Sequence, residues 1–160
     1  MGQREDDFDA FVAARSQALW RTAYLLTADR HLAEDLLQTA LVETWRRWSR
    51  IEGLEHTEAY VRRILVTSHL KSTRRKVRVR LGDVPDIGVY DGEPPTDLLR
   101  ALRELSPAQR AVVTLRYFDD RTEAQTAELL GCSVGTVKSH HARALARLRS
   151  LPFLTSEASP

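Results

Sequence analysis

The sequence predicts an all-α protein, two small helical domains joined by a flexible acidic linker. Apolar residues recur at helical spacing nearly throughout, and no convincing run alternates apolar with polar residues as a half-buried strand would. The stretch GDVPDIGVYDGEPPTD, residues 82–97, holds three of the six prolines and three of the seven glycines, a composition that breaks helices. Helix-start signals then resume on its far side. The expected organisation is a domain at 1–81, the linker at 82–97, a domain at 98–152 and a tail at 153–160.

In the first domain, Phe8, Phe11, Val12, Leu19, Tyr24 and Leu25 or Leu26 mark a helix ending near Thr27. From about His31 to Trp48, the residues Leu32, Leu36, Leu37, Ala40, Leu41, Trp45 and Trp48 form an apolar stripe. A third helix is predicted from about Thr57 to Val79, with Tyr60, Val61, Ile64, Leu65 and Leu70 on its apolar side and a strongly basic end. Beyond the linker, Ser106-Pro107-Ala108-Gln109 reads as a capping box with proline at the first helical position, opening a helix to about Phe118. Thr122-Glu123-Ala124-Gln125 repeats that logic for a short helix through Leu130. Gly131 ends it, and Ser133 starts a last helix to about Arg149.

The segment 122–149 has the form of a helix-turn-helix. Ala127 is small where the helices cross, Gly131 can take the positive φ of the turn, and Val137, with Leu130 and Val134, fills the angle between them. At about 100° per residue, the last helix turns Val134, Val137, His141, Ala144, Leu145 and Leu148 to one side. Gly135, Thr136, Ser139, Ala142 and Arg143 face the other way, flanked by Lys138 and His140. A recognition helix needs this polar, acid-free face for base edges and phosphates in the major groove. Arg143 and Lys138 can reach guanine acceptors, and Ala142 can meet a thymine methyl.

Charge is segregated along the chain although the net charge is only +2. Residues 59–81 carry 8 Lys/Arg and no acid, whereas 82–97 carry five acids and no base. Residues 131–156 again carry four bases and no acid. Such blocks point to two polyanion-binding surfaces. No apolar run approaches the roughly 20 residues of a membrane helix. The polar, acidic start MGQREDDFDA is no signal peptide, and Cys132 is the lone cysteine. A soluble, cytoplasmic protein without membrane insertion is expected. Only a short tail follows the last predicted helix, so no large C-terminal sensory domain is expected.

The block AEDLLQTALVETWRRW resembles the second conserved region of extracytoplasmic-function (ECF) RNA polymerase sigma factors, and AELLGCSVGTVKSHHARALARLR resembles their fourth. With the neighbouring helices the resemblance spans about residues 7–150 and looks closest to the SigE-like group. It implies a region 2 domain at 1–81 that binds the clamp of core RNA polymerase and melts the −10 element. It also implies a region 4 domain at 98–152 that reads the double-stranded −35 element and binds the flap. The implied polymerase contacts are Glu34, Asp35, Gln38 and Glu43, on the polar side of the second helix. The implied −35 contacts are Thr136, Lys138, Ser139, His140, Ala142 and Arg143. For the melted −10 strand they are His56, Arg62, Arg63, Thr67, Lys71, Arg74 and Arg75, with Lys76 as a further base. Base capture would fall to the loop SRIEGLEHT, where His56 is the only ring. Two positions depart from the family pattern: Tyr60 stands where Trp is common, its ring expected to preserve core packing, and Thr67 stands where Asn is common. The acidic linker would thread the RNA exit path, its five carboxylates either imitating RNA phosphates or simply solvating a tether. An anti-sigma factor is a further expected partner.

The alternative is a stand-alone helix-turn-helix transcriptional regulator, but the first 80 residues lack the strand-helix alternation of a receiver domain. A pure interaction protein would not need so basic a third helix. An enzyme is not expected: no phosphate loop, nucleophile elbow or metal-ligand spacing occurs. His31, His56 and His69 are isolated, and Cys132 beside His140 and His141 does not build a tetrahedral site. No cofactor and no metal are expected.

Overall fold

The computed structural model describes residues 2–51, 57–76 and 96–155. Among them every regular element is helical: α1 (Gln3–Thr27), α2 (Arg30–Arg46), α3 (Trp48–Ile51), α4 (Thr57–Lys76), α5 (Thr96–Arg103), α6 (Pro107–Val113), α7 (Glu123–Leu130), α8 (Val134–Arg149) and α9 (Pro152–Thr155). His56, the expected end of the third helix at 77–79 and linker residues 82–95 lie outside the described residues.

Local chemistry explains most boundaries. α1 ends where Ala28 takes a left-handed φ of 53° and its N–H returns to the Tyr24 carbonyl at 2.7 Å. Asp29 then caps α2, its Oδ1 accepting from the Leu32 N–H at 2.9 Å. Both predicted capping boxes form: Ser106 with Gln109, and Thr122 with Gln125, each exchanging a bond in both directions.

The structure also departs from the periodicity. The predicted second helix breaks at Arg47, and Trp48 opens the separate short helix α3, whose Trp48 and Ile51 are buried beneath α1 and α2. The last turn of the helix after Pro107 widens into a π-helical segment, Thr114–Phe118, which leaves Tyr117 and Phe118 exposed. α5 begins at Thr96, two residues inside the predicted linker, and α9 falls partly in the predicted tail.

The halves are not independent bodies. One apolar cluster joins Leu19 and Trp20 of α1, Leu37 of α2 and Leu65 of α4 to Leu99, Ala111 and Leu115 from beyond the linker. Polar contacts seal the rim. The Arg110 guanidinium donates through Nη1 to the carbonyl of Thr27 at 3.1 Å, through Nε to Leu102 at 2.8 Å and through Nη2 to Leu105 at 3.2 Å. Arg103 Nε donates to the Ala28 carbonyl at 2.9 Å. Cations from the second half thus satisfy carbonyls at the C-terminal end of α1, where the helix dipole is negative. Burial, and secondarily Arg103, holds the Arg110 guanidinium pKa below its ordinary value.

Candidate nucleic-acid interface

The helix-turn-helix is built by its turn. Gly131 adopts φ +68° with open space around it, so the left-handed backbone, not crowding, calls for glycine. The Gly131 N–H reaches the Glu128 carbonyl at 3.3 Å and the Cys132 N–H reaches Ala127 at 3.0 Å, the paired bonds of a Schellman turn. Ser133 Oγ then accepts from the Thr136 N–H at 3.1 Å and starts α8. Val112, Ala127 and Val137 close the angle between helices, with Leu130 and Cys132 packed at the edge. The expected wedge stands except at Val134, which is 38% exposed because it occupies the first turn of α8, beyond the reach of α7.

That packing fixes which side of α8 looks outward. Thr136, Lys138, Ser139, Ala142 and Arg143 are exposed, and His140 is half-buried on the flank. Lys138 Nζ lies 3.8 Å from Glu123 Oε2, a surface pair that a phosphate can displace at small cost. His141, expected on the core side, is half-buried, its Nε2 2.6 Å from the Tyr117 hydroxyl.

The second basic surface lies on α4. Tyr60, Arg63, Thr67 and Lys71 follow one another along one side of this helix and, with Glu43 and Arg47 from the end of α2, line an open groove of about 410 Å³. Arg63 and Lys71 are exposed, and the Thr67 hydroxyl is tied to the Arg63 carbonyl at 2.8 Å. Tyr60 does not preserve core packing as expected. It is 38% exposed at the groove wall, because Val61, Ile64 and Leu65 already fill the core-facing side of α4. Sequence reasoning therefore missed an exposed ring, although the i, i+3 and i+7 steps from Tyr60 to the polar Arg63 and Thr67 could have found it. Arg62 points elsewhere: its side chain is 12% exposed, pairing with Glu58 at 3.1 Å and Asp119 at 3.5 Å. Arg74 and Arg75 fall in the last turns of α4.

On α2, the four expected polymerase contacts separate. Gln38 is exposed and Asp35 half-buried, and both line a cavity of about 420 Å³ whose opposite wall includes Ser72 and Arg110. Glu43 is half-buried and pairs with Arg46 at 2.8 Å. Glu34 is not on the polar face. It is buried, 5% exposed, because it lies one residue from Ala33 and three from Leu37, both in the core, and it pairs with Arg30 at 3.6 Å. Among the described residues no group of His, Cys, Asp and Glu could hold a metal ion, and no helix is long and apolar enough to cross a membrane.

An exposed, acid-free recognition helix on a helix-turn-helix, with a second basic helical surface beside it, is the arrangement of a DNA-binding protein. The model of sigma-70 region 2 matches residues 11–79, and that of sigma-70 region 4 matches residues 96–148. The chain belongs to the sigma-70 family of RNA polymerase sigma factors, in its ECF branch. It is 41% identical to the RNA polymerase sigma-E factor of Streptomyces avermitilis over 149 residues, spanning 89% of this chain and 83% of the relative. Identity to the ECF RNA polymerase sigma factor BldN of Streptomyces coelicolor is 28%, over 91% of this chain and 60% of the relative. Among solved structures, the sigma factor RpoE bound to the anti-sigma factor NepR, from Bartonella quintana, superposes with a TM-score of 0.69 at 27% identity, covering 89% of this chain and 94% of that one. CnrH, in complex with the cytosolic domain of CnrY, shares the fold at 19% identity and a TM-score of 0.60, over 89% of this chain and 85% of that one. The chain is thus a sigma factor, which binds core RNA polymerase and directs promoter-specific transcription initiation.

Proposed function

We propose a division of that function among named residues. The outward side of α8, Thr136, Lys138, Ser139, Ala142 and Arg143, with His140 at its edge, reads the double-stranded −35 element. The α4 groove, with Arg63, Thr67 and Lys71, meets the partly melted −10 strand, and Tyr60 offers a stacking surface for an unpaired base. Arg62, Arg74, Arg75 and the loop carrying His56 complete the −10 contacts. Asp35, Gln38 and Glu43 dock on the polymerase clamp, and the second half docks on the flap. The working units are 1–81 and 98–152, with 82–97 as the strap between them. The protein acts in the cytoplasm, performs no catalysis of its own and uses no cofactor. An anti-sigma factor is a natural partner, since the superposing RpoE is held by one.

The observation that carries this reading is the outward face of α8, whose exposed bases and small side chains leave base edges within reach. Gel filtration of the purified chain with core polymerase, followed by addition of promoter DNA, tests it. The chain should co-elute with core before DNA is present. A stand-alone regulator would bind DNA without core and fail to co-elute.

A further inference from the structure

Lys138, one of the bases assigned to the −35 element, is met by a carboxylate from outside the recognition helix. α8 itself carries no acid. Glu123 Oε2 on α7 nevertheless lies 3.8 Å from Lys138 Nζ, with the lysine side chain 65% and the glutamate 34% exposed. An exposed pair of this length is weak and does not by itself fix where its partners stand. The framework around it does. Arg116 Nη1 donates to the Arg121 carbonyl at 2.6 Å, and the Arg121 N–H donates to the Leu115 carbonyl at 2.9 Å, which pins the approach to α7. Thr122 and Gln125 then close their capping box around Glu123, the first residue of the helix. At the other end, the left-handed Gly131 and the packing of Ala127 with Val137 fix α7 against α8. Glu123 thus sets a negative charge at a defined place beside Lys138, on the helix that crosses the DNA backbone in a helix-turn-helix.

A helix start so placed ordinarily favours phosphate, through its free N–H groups and its dipole. Here its first turn presents a carboxylate. We propose that Glu123 is a specificity-determining residue of −35 recognition: it keeps Lys138 available to base edges and opposes contact of Lys138 with the sugar-phosphate backbone. The inference rests on the assignment of the outward side of α8 to the −35 element. A lysine ammonium has three donors. In a base-reading pose one of them can stay with Glu123 while the others meet the O6 and N7 acceptors of a guanine. In a backbone pose the ammonium either leaves the carboxylate or brings a phosphate up against it, and the like charges repel. Glu123 therefore weakens binding to arbitrary duplex more than binding to a promoter. Discrimination is a difference of affinities, so a residue that makes no attractive contact with DNA can still increase it. The effect matters because a chromosome offers far more non-promoter sites than promoters.

The test compares the whole chain carrying Glu123→Gln, Lys138→Ala or both with the parent and with Asp9→Asn, which removes one charge from the exposed start of α1. Circular dichroism verifies the fold of each. The first readout is the anisotropy of a fluorescein-labelled duplex of scrambled sequence, titrated at several salt concentrations. The second is run-off transcription with core polymerase from a promoter fragment and from the same fragment with its −35 segment scrambled. Glu123→Gln should tighten binding to the scrambled duplex by up to about fivefold, the size of one exposed ion pair. Its log affinity against log salt should steepen by about 0.9, one further phosphate contact on duplex DNA. The ratio of initiation at the intact promoter to that at the scrambled one should fall, whereas Asp9→Asn should keep the slope and the ratio of the parent. In the Lys138→Ala background, Glu123→Gln should change neither. Parent values in either readout for Glu123→Gln, or a gain that persists without Lys138, overturn the inference. Lys138→Ala alone isolates the underlying assignment: if it leaves the ratio intact, Lys138 does not read the −35 element.

Discussion

Arg143 leaves α8 on the outward side, one turn beyond Ser139, and is exposed. A guanidinium in this position can make a bidentate contact to a guanine edge, worth about 1–3 kcal/mol of discrimination. Arg143→Ala should therefore reduce initiation at a cognate promoter by about 10- to 100-fold while core co-elution is unchanged. Equal loss of both would place Arg143 in the polymerase interface instead. Asp119 presents the opposite case, a carboxylate whose environment disfavours its charge. Burial raises its pKa above the ordinary 3.8, and Arg62, Thr22 and Arg121 only partly offset that rise. The folded chain then binds the proton more tightly than the unfolded chain does, so this residue's contribution to stability falls as pH rises from 3.8 through the raised value. Thermal melts across that window should show this decline in the parent chain, and Asp119→Asn should remove that component of the slope. An identical slope in both would contradict the burial of Asp119.

The helices differ in how far their sequences announce them. α6, α7 and α8 were legible almost to the residue because each start is a local hydrogen-bonding device: Ser106 with Gln109, Thr122 with Gln125, and Ser133 with Thr136. Removing one cap should be measurable. Ser106→Ala should destabilise the second half by about 1 kcal/mol in denaturant melts, and no change would mean that the capping box contributes nothing beyond solvent hydrogen bonds. The break before α3 and the π-helical turn at Thr114–Phe118 were not legible, because tertiary packing makes them. The polar face of α2 was half legible. A wheel separates Asp35 and Gln38 from the core, but Glu34 lies on its border, and only the packed neighbours show that it is buried. Asp35→Ala/Gln38→Ala should lower core affinity several-fold without loss of helical circular dichroism, consistent with rim charges acting on association. Full affinity would remove α2 from the polymerase contact.

At the scale of the molecule, the two-part helical plan was readable from composition: a Pro/Gly-rich acidic stretch lies between two apolar, base-containing segments, and the family matches end before it at residue 79 and resume at its last two residues, at 96. The contact between the halves was not readable. Thr22, Arg62 and Asp119 are far apart in sequence, and neither periodicity nor capping relates them; only their meeting in space does. The same holds for Arg110, which reaches across to the end of α1. Two basic faces on separate helical units suit a protein that must hold DNA at two places while docked on a larger enzyme. Run-off transcription from genomic DNA fragments, with core RNA polymerase in the presence and absence of this chain, tests that claim most directly. Discrete new transcripts should appear only when the chain is added; the same transcripts with and without it would contradict the assignment.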